Sequence, residues 1–295
     1  MPEEEEIAHA KGTEQLALFE RCAHIYALTI RRFRWDALLV WRPAMVIPVD
    51  QPDHPGYAFI PFVKEYLRNF FGHDIPVGAF VWQSFVSLEV VKDYMEFSVA
   101  LLEEPETIDA WALDMYTMGL LHTQRLLDAG ADFINVNSDH AFNGSTFLRP
   151  QQFRRFVYPY KKALVEYIHS RGAWVLMHSD GNLMAILDQI LDIRPDVLQS
   201  IDPMAGMDIR EVKRLCRGRM GLMGNVQCSL LQDGPPEAII ASADYCLTHG
   251  SPGGGYIYST SNTVFEGIPL ENYQLMVDYF HDRFPLAGNP ACSAE

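Results

Sequence analysis

Short apolar runs that end in polar clusters recur along this chain, each followed by a stretch with helical spacing. The sharpest is Trp174-Val175-Leu176-Met177, which runs into His178-Ser179-Asp180-Gly181-Asn182. The pattern predicts a buried strand and a sharp exit at Gly181. Asn182 then caps a helix on which Leu183, Ile186, Leu187 and Ile190 share a face. Further strands are predicted over Asp36–Trp41, Ile75–Trp82, Asp132–Asn137, Asp196–Asp202, Arg219–Asn225 and Gly253–Asn262. Ala44–Val49 is a second extended piece close to the first strand. Ile75–Trp82 is continuously apolar, the mark of a strand buried on both faces.

Helical patterns fill the intervals. Thr13–Phe33 comes first, with Leu16, Phe19, Ile25 and Leu28 as its predicted inner face. Phe59–Phe71 follows, then Leu88–Leu102 and Ile108–Ala129, divided by a Glu-Glu-Pro-Glu turn. Gln151–Ser170 carries Phe153, Phe156, Val157, Tyr160, Leu164 and Ile168 on its apolar side; Met207–Cys216, Pro235–Thr248 and Glu271–Phe284 complete the set. Alternation of strand and helix predicts a parallel sheet with helical crossovers, and hence a (β/α)8 TIM-type barrel. Seven strands are clear, one short of eight. Either Ala44–Val49 supplies the eighth, or the first β/α unit is incomplete or atypical. No linker rich in Gly, Pro or Ser interrupts the chain. Residues 13–285 therefore read as one domain, between an acidic tail at 1–12 and a C-terminal tail at 286–295.

Charge narrows the function classes. With 23 Lys+Arg against 38 Asp+Glu the net charge is −15, which disfavours nucleic acid and anionic membrane as partners. No apolar run approaches the ~20 residues needed to span a bilayer. The acidic start lacks the basic and apolar regions of a secretory signal, so the cytoplasm is the expected compartment. Cys22, Cys216, Cys228, Cys246 and Cys292 form no CxxC pair and read as reduced thiols. Cys228 stands apart because it closes the Asn225-Val226-Gln227-Cys228 strand end.

In a barrel of this class every strand's carboxyl end opens into one mouth. The predicted rim gathers Gln83, Asn137, Asp139, His140, His178, Asp180, Asp202, Asn225, Gln227, Ser259, Ser261 and Asn262. One polar strand end only starts a loop; seven point to a ligand site. His178 and Asp180, two apart on extended chain, face one way and offer two metal ligands. The alternative is a histidine bonded to a backbone carbonyl beside a helix-capping aspartate. Asp139 reads as a general base, as a contact to a polar ligand group, or as a turn former. Asn225 and Asn262 each bring a donor and an acceptor suited to an amide-bearing or heterocyclic ligand. Gly253-Gly254-Gly255 precedes a strand where a phosphate cradle precedes a helix, so it reads as a turn.

Four segments in order carry a family resemblance: GADFINVNSDHAFNGSTFLRPQQF, WVLMHSDGN, RMGLMGNVQCSLLQDGPPEAI and SPGGGYIYSTSNTVFEGIPLENYQLMV. Through them the chain, from about Ile75 to Phe284, resembles the uroporphyrinogen decarboxylase superfamily, which also contains corrinoid-dependent methyltransferases. The resemblance implies a (β/α)8 barrel with its site at the carboxyl face, often as a homodimer. True uroporphyrinogen decarboxylases open with an Arg-rich first strand that holds substrate carboxylates, and nothing between Met1 and Val49 matches it. Their last strand presents a histidine where this chain has Asn262, and the predicted rim contains no arginine.

The HSDGN, GNVQC and PLEN segments bring the chain nearer the methyltransferase branch. Members of that branch that methylate thiols bind zinc through a His-x-Cys pair and a later Cys. Here His178 matches, Asp180 replaces the first Cys and Asn262 stands at the second. The resemblance thus implies methyl transfer between a corrinoid carried by a partner protein and a small acceptor, a thiol or a pterin such as tetrahydrofolate. In that reading His178 and Asp180 bind zinc or relay a proton, while Asp139, Asn225 and Asn262 hydrogen-bond the acceptor. Gln83, Asn137, His140, Asn143 and Ser259 complete the substrate-binding set. Tetrapyrrole decarboxylation is the alternative enzyme reading, and a non-catalytic ligand-binding barrel is the alternative from another class.

Overall fold

The computed structural model describes residues 10–41, 54–216 and 218–285, together with Glu6, Ile47 and Gln51. Except for Ile47, the extended piece Ala44–Val49 lies outside the described residues, as do most of the 1–12 tail, the 286–295 tail and Cys292. Among the described residues seven parallel strands form one sheet in chain order: β1 (Leu38–Leu39), β2 (Val77–Val81), β3 (Phe133–Asn137), β4 (Trp174–His178), β5 (Val197–Ser200), β6 (Gly221–Val226) and β7 (Tyr256–Thr260). Helix α1 (Thr13–Phe33) leads into β1, and α2 (Pro55–Phe71) follows it. After β2 come α3 (Tyr94–Glu103) and α4 (Pro105–Asp128); after β3, α5 (Pro150–Phe156) and α6 (Tyr158–Ser170). One helix each follows β4 and β5, α7 (Leu187–Ile193) and α8 (Ile209–Cys216). Two follow β6, α9 (Cys228–Asp233) and α10 (Pro236–Gly250), and α11 (Leu270–Arg283) closes the chain.

The sheet curls into a TIM-type half-barrel, and among the described residues no pairing joins β7 to β1. Helix α11 spans that side. Trp35 Nε1 donates to the Tyr273 hydroxyl (3.0 Å), and the Phe33 and Tyr273 rings meet edge to face at 4.9 Å.

Helix-facing strand residues build the core. Val77, Ala79 and Val81 of β2, Ile134 and Val136 of β3, Val175 and Met177 of β4 and Leu198 of β5 are all buried in one cluster with the helices. Full burial of such a side chain stabilises the fold by roughly 1.5–3 kcal/mol. One device recurs at the amino ends. Asp132, opening β3, accepts from Val77 N of β2 (2.8 Å), and Asp196, opening β5, accepts from Val175 N of β4 (2.7 Å). Each carboxylate satisfies a strand-end amide that the ladder leaves open. Register follows, and with it the level at which each strand's last residue reaches the mouth.

Three elements differ from their predicted form. On α1 the buried stripe is Phe19, Cys22, Ala23, Tyr26, Ala27, Ile30 and Phe33, while Leu16 and Leu28 are 48% and 38% exposed. Small residues at 22, 23 and 27 allow close approach, a face that a search for large apolar side chains misses. The helix predicted from Leu88 starts at Tyr94, because Asp93 accepts from Met95 N and Glu96 N (both 2.9 Å) and so acts as the N-cap. The predicted helix Gln151–Ser170 breaks at Val157 (φ −123, ψ −53). Pro159 has no N–H for the preceding turn and its ring crowds that turn's carbonyl.

Candidate active site

At the carboxyl ends of β3 and β4 the half-barrel brings Asp139, His178 and Asp180 together, with one ligand atom of each within 4.8 Å of the others. His178 closes β4 level with Asn137 of β3 and Gln199 of β5. Its Nε2 lies 3.6 Å from Asp139 Oδ1 and 3.9 Å from Asp180 Oδ2. Asp180 N donates to Asp139 Oδ1 (2.8 Å), so the two loops are tied through one carboxylate. The Asp180 carboxylate is itself fixed at both oxygens: Ser200 Oγ donates to Oδ1 (2.6 Å) and Asn262 Nδ2 to Oδ2. Ser200 reaches it from a left-handed backbone conformation (φ 97), which for a non-glycine residue costs of order 1–3 kcal/mol.

The proton on His178 can be placed. Gln199 Nε2 donates to the Ser261 carbonyl (3.4 Å), which only accepts, so Gln199 Oε1 is the atom presented to His178 Nδ1. Nδ1 therefore carries the hydrogen and donates it. In the neutral ring the Nε2 lone pair then faces two carboxylate oxygens, which are beyond hydrogen-bond reach but well placed around a shared cation. A lone pair and two anions converging on one point suit a divalent metal with oxygen and nitrogen ligands. Burial pushes the Asp139 carboxyl above its usual range, opposed by His178 and by the Asp180 amide.

Behind Asp139 lies a layer that the sequence reading missed. Lys161 of α6 is fully buried, and its Nζ donates to Ser138 Oγ (2.6 Å) and sits 4.8 Å over the Phe85 ring. Ser138 Oγ in turn lies 3.1 Å from His140 Nε2. Burial brings the Lys161 pKa down to about 7, against the pull of Glu89 and Asp139, and holds His140 well below its ordinary value. The signal was available: Lys161 falls at the helical spacing of Val157, Leu164 and Ile168, an apolar face on which a lysine is out of place.

Other predicted residues divide. Asn262 joins the cluster through Asp180, and Asn137 and Ser259 lie half-buried at the strand ends. Gln83 and Asn143 are exposed on loops. Two more are buried and engaged by the chain itself. Asn225 is 4% exposed: its Nδ2 donates to the carbonyls of Ile201 (2.7 Å) and Met207 (3.4 Å), and its Oδ1 accepts from Cys246 Sγ (3.1 Å). It braces the β5–α8 loop against α10. His140 is packed edge-on against Phe153 behind the site and faces Ser138, so it presents nothing to a ligand at the mouth. Cys228 is buried near Asn262, whose carbonyl accepts from Sγ (3.5 Å), and burial pushes its thiol up, away from thiolate. Gln199, which sets the imidazole tautomer, escaped notice because it sits inside the predicted strand and not at its end.

The family model described as Uroporphyrinogen decarboxylase (URO-D) matches residues 20–283. A uroporphyrinogen decarboxylase of Anaeromyxobacter dehalogenans (strain 2CP-C) is 24% identical over 246 residues, 81% of this chain and 66% of that protein. Another, of Thermosynechococcus vestitus, is 20% identical over 190 residues, 64% of this chain and 52% of its own length. The chain thus spans between about half and two-thirds of these relatives. Among solved structures, a methyltransferase from Methanosarcina mazei superposes with a TM-score of 0.66 over 96% of this chain and 92% of its own, at 16% identity. That likeness is one of fold. No helix among the described residues is long and apolar enough to cross a membrane.

Proposed function

This chain belongs to the uroporphyrinogen decarboxylase family, and on that premise we propose that it moves a methyl group between a corrinoid, carried by a partner protein, and a small acceptor bound at the mouth. The observation that supports this reading is the His178 lone pair set between the Asp139 and Asp180 carboxylates. Such a mouth is built to hold a cation, and the acceptor bound beside it. A pocket for a polycarboxylate substrate would call for the opposite charge.

Asp139, His178 and Asp180 are the residues that would hold the divalent ion, zinc or one with similar ligand preferences. When bound, it supplies Lewis-acid polarisation of the acceptor atom. The chain's own groups do the rest. Gln199 holds the imidazole in one tautomer, and Ser200 and Asn262 fix both Asp180 oxygens. Asp139 Oδ1 also accepts from Asp180 N (2.8 Å), which keeps the loops of β3 and β4 together. Asn137 and Ser259 offer hydrogen bonds to a polar acceptor ring. The methyl passes to the acceptor's lone pair while the cobalt–carbon electron pair stays with the corrinoid, so the protein's main task is to orient the two. With Asp180 and Asn262 where thiol-methylating relatives carry cysteines, a pterin acceptor fits the donor set better than a thiol.

The test is loss of methylcobalamin absorbance on addition of a tetrahydropterin or a thiol, in wild type, Asp139→Ala and His178→Ala. Acceptor-dependent loss in wild type that falls in both variants supports methyl transfer. The names of the two curated relatives favour a second reading, decarboxylation of uroporphyrinogen. Carbon dioxide release from that substrate, with methylcobalamin untouched, would establish it.

A further inference from the structure

Lys161 is an expensive residue to keep where it is. Taking an ammonium out of water costs several kcal/mol even after relaxation, and an apolar side chain of similar volume would serve the core better. Among its recorded contacts one is a hydrogen bond, to Ser138 Oγ at 2.6 Å, and one is the face of Phe85 at 4.8 Å. Both lie on loops that frame Asp139. Ser138 precedes Asp139 directly, and Phe85 begins the stretch that ends at Glu89. That stretch grips Asp139 from the other side: Asp139 N donates to Glu89 Oε1 (2.8 Å), and Leu88 N donates to the Asp139 carbonyl (3.0 Å). Glu89 Oε2 is buried with no hydrogen-bond partner, and Lys161 is drawn to both Glu89 and Asp139.

From this geometry we infer that Lys161 is a positioning residue: its ammonium clamps the Ser138–His140 segment to the Phe85–Glu89 loop and so sets where the Asp139 carboxylate points. A role toward the cation rests on the metal-site reading above; the clamp itself does not. The ammonium touches neither the acceptor nor the point where the three ligand atoms converge. It acts through Ser138 and through the charge of Glu89. Without it, one face of the Asp139 loop loses its donor, and the Glu89 carboxylate that holds the Asp139 amide loses the cation that attracts it. The Asp139 Oδ1 to Asp180 N bond, which joins the loops of β3 and β4, is the contact this loss would release.

Two measurements on Lys161→Met decide the matter. Methionine keeps the volume and removes both the charge and the donor. The first is the binding constant for Zn2+ or Co2+ by competitive chelation. A bystander cation behind a metal site repels the metal, so its removal would tighten binding. A positioning role predicts the opposite, weakening of about tenfold or more. The second needs no metal: in crystal structures of both proteins, the Asp139 Oδ1–Asp180 N bond is expected to be broken in the variant. An intact bond, or tighter metal binding, overturns the inference. If wild type binds no metal, the metal-site reading fails by itself and the crystal comparison still decides the role of Lys161. Should Lys161→Met not fold, Lys161→Leu, which likewise removes both the charge and the donor, is measured in its place with the same expectations.

Discussion

Gly181 offers the most direct way to separate the two loops that carry the site. It adopts φ +80, and a Cβ there would meet the Ala141 carbonyl oxygen at 2.3 Å and that of Phe142 at 2.8 Å. Contacts under 3.0 Å do not occur for real Cβ atoms, so the two backbones must part by at least 0.7 Å (3.0 minus 2.3). Both neighbours are backbone atoms and not flexible side-chain ends. Gly181→Ala therefore combines a left-handed backbone cost of roughly 1–2 kcal/mol with overpacking strain of roughly 1–3 kcal/mol, about 2–5 kcal/mol in all. The displacement falls between two bonds that join the loops, Asp180 N to Asp139 Oδ1 (2.8 Å) and Asn182 N to the Phe142 carbonyl (2.9 Å). Separation of the Asp139 and Asp180 carboxylates should then weaken divalent-metal binding by about 10–100-fold.

Controls come from the same chain. Gly130 (φ +93) has open space where its Cβ would go, so Gly130→Ala carries the conformational cost alone. Gly144 has open space and no positive φ, so Gly144→Ala should change little. Urea unfolding and metal titration of the three variants should give stability losses in the order Gly181, Gly130, Gly144. Loss of metal binding should be confined to Gly181→Ala. Wild-type metal affinity in Gly181→Ala, or equal losses in Gly181→Ala and Gly130→Ala, would refute the reasoning.

Three further expectations follow from single residues. His122 lies under β2, where its Nε2 donates to the Phe80 carbonyl (3.2 Å) and its Nδ1 accepts from the Tyr57 hydroxyl (2.8 Å). Burial brings its pKa down from 6.5 to about 4. As pH falls below 6.5 the unfolded chain takes up this proton and the folded chain resists. The stability contribution is therefore whole above pH 6.5 and lost by pH 4, about 3 kcal/mol in total. Between pH 7 and 4.5, wild type should lose about 2 kcal/mol more in urea unfolding than His122→Gln, and equal losses would exclude this role. Gln199→Leu should release the imidazole tautomer and weaken metal binding by about 10–100-fold at nearly unchanged core packing; unchanged affinity would show that Gln199 does not orient His178. Asn225→Ala should cost about 1–3 kcal/mol of stability through the unsatisfied Ile201 and Met207 carbonyls while metal affinity stays at the wild-type value. A selective loss of ligand binding would place Asn225 at the mouth.

Much of the architecture could be read from short-range pattern. The apolar runs from Ile75, Asp132 and Trp174 became β2, β3 and β4 because nothing but burial suits them. What stayed hidden depends on contacts between distant parts of the chain. Burial of Lys161, and not its neighbour Lys162, is settled by Ser138 and Phe85 from two other loops. The direction of Asn225 is settled by the Ile201 and Met207 carbonyls and by Cys246 on a later helix. The inner face of α1 was misread because alanine and cysteine carry it, and close approach favours small side chains that a hydrophobicity count underweights. His178 and Asp180 were legible as a pair on one strand end; Asp139, their partner across the sheet, was legible only as an isolated carboxylate.

The central claim is that Asp139, His178 and Asp180 hold one divalent ion. The most direct measurement is metal content by mass spectrometry of the purified protein after equilibration with zinc and removal of excess, on wild type and His178→Ala in parallel. Near-stoichiometric metal is expected in wild type and little in the variant. No retained metal in wild type, or the same amount in both, would contradict it.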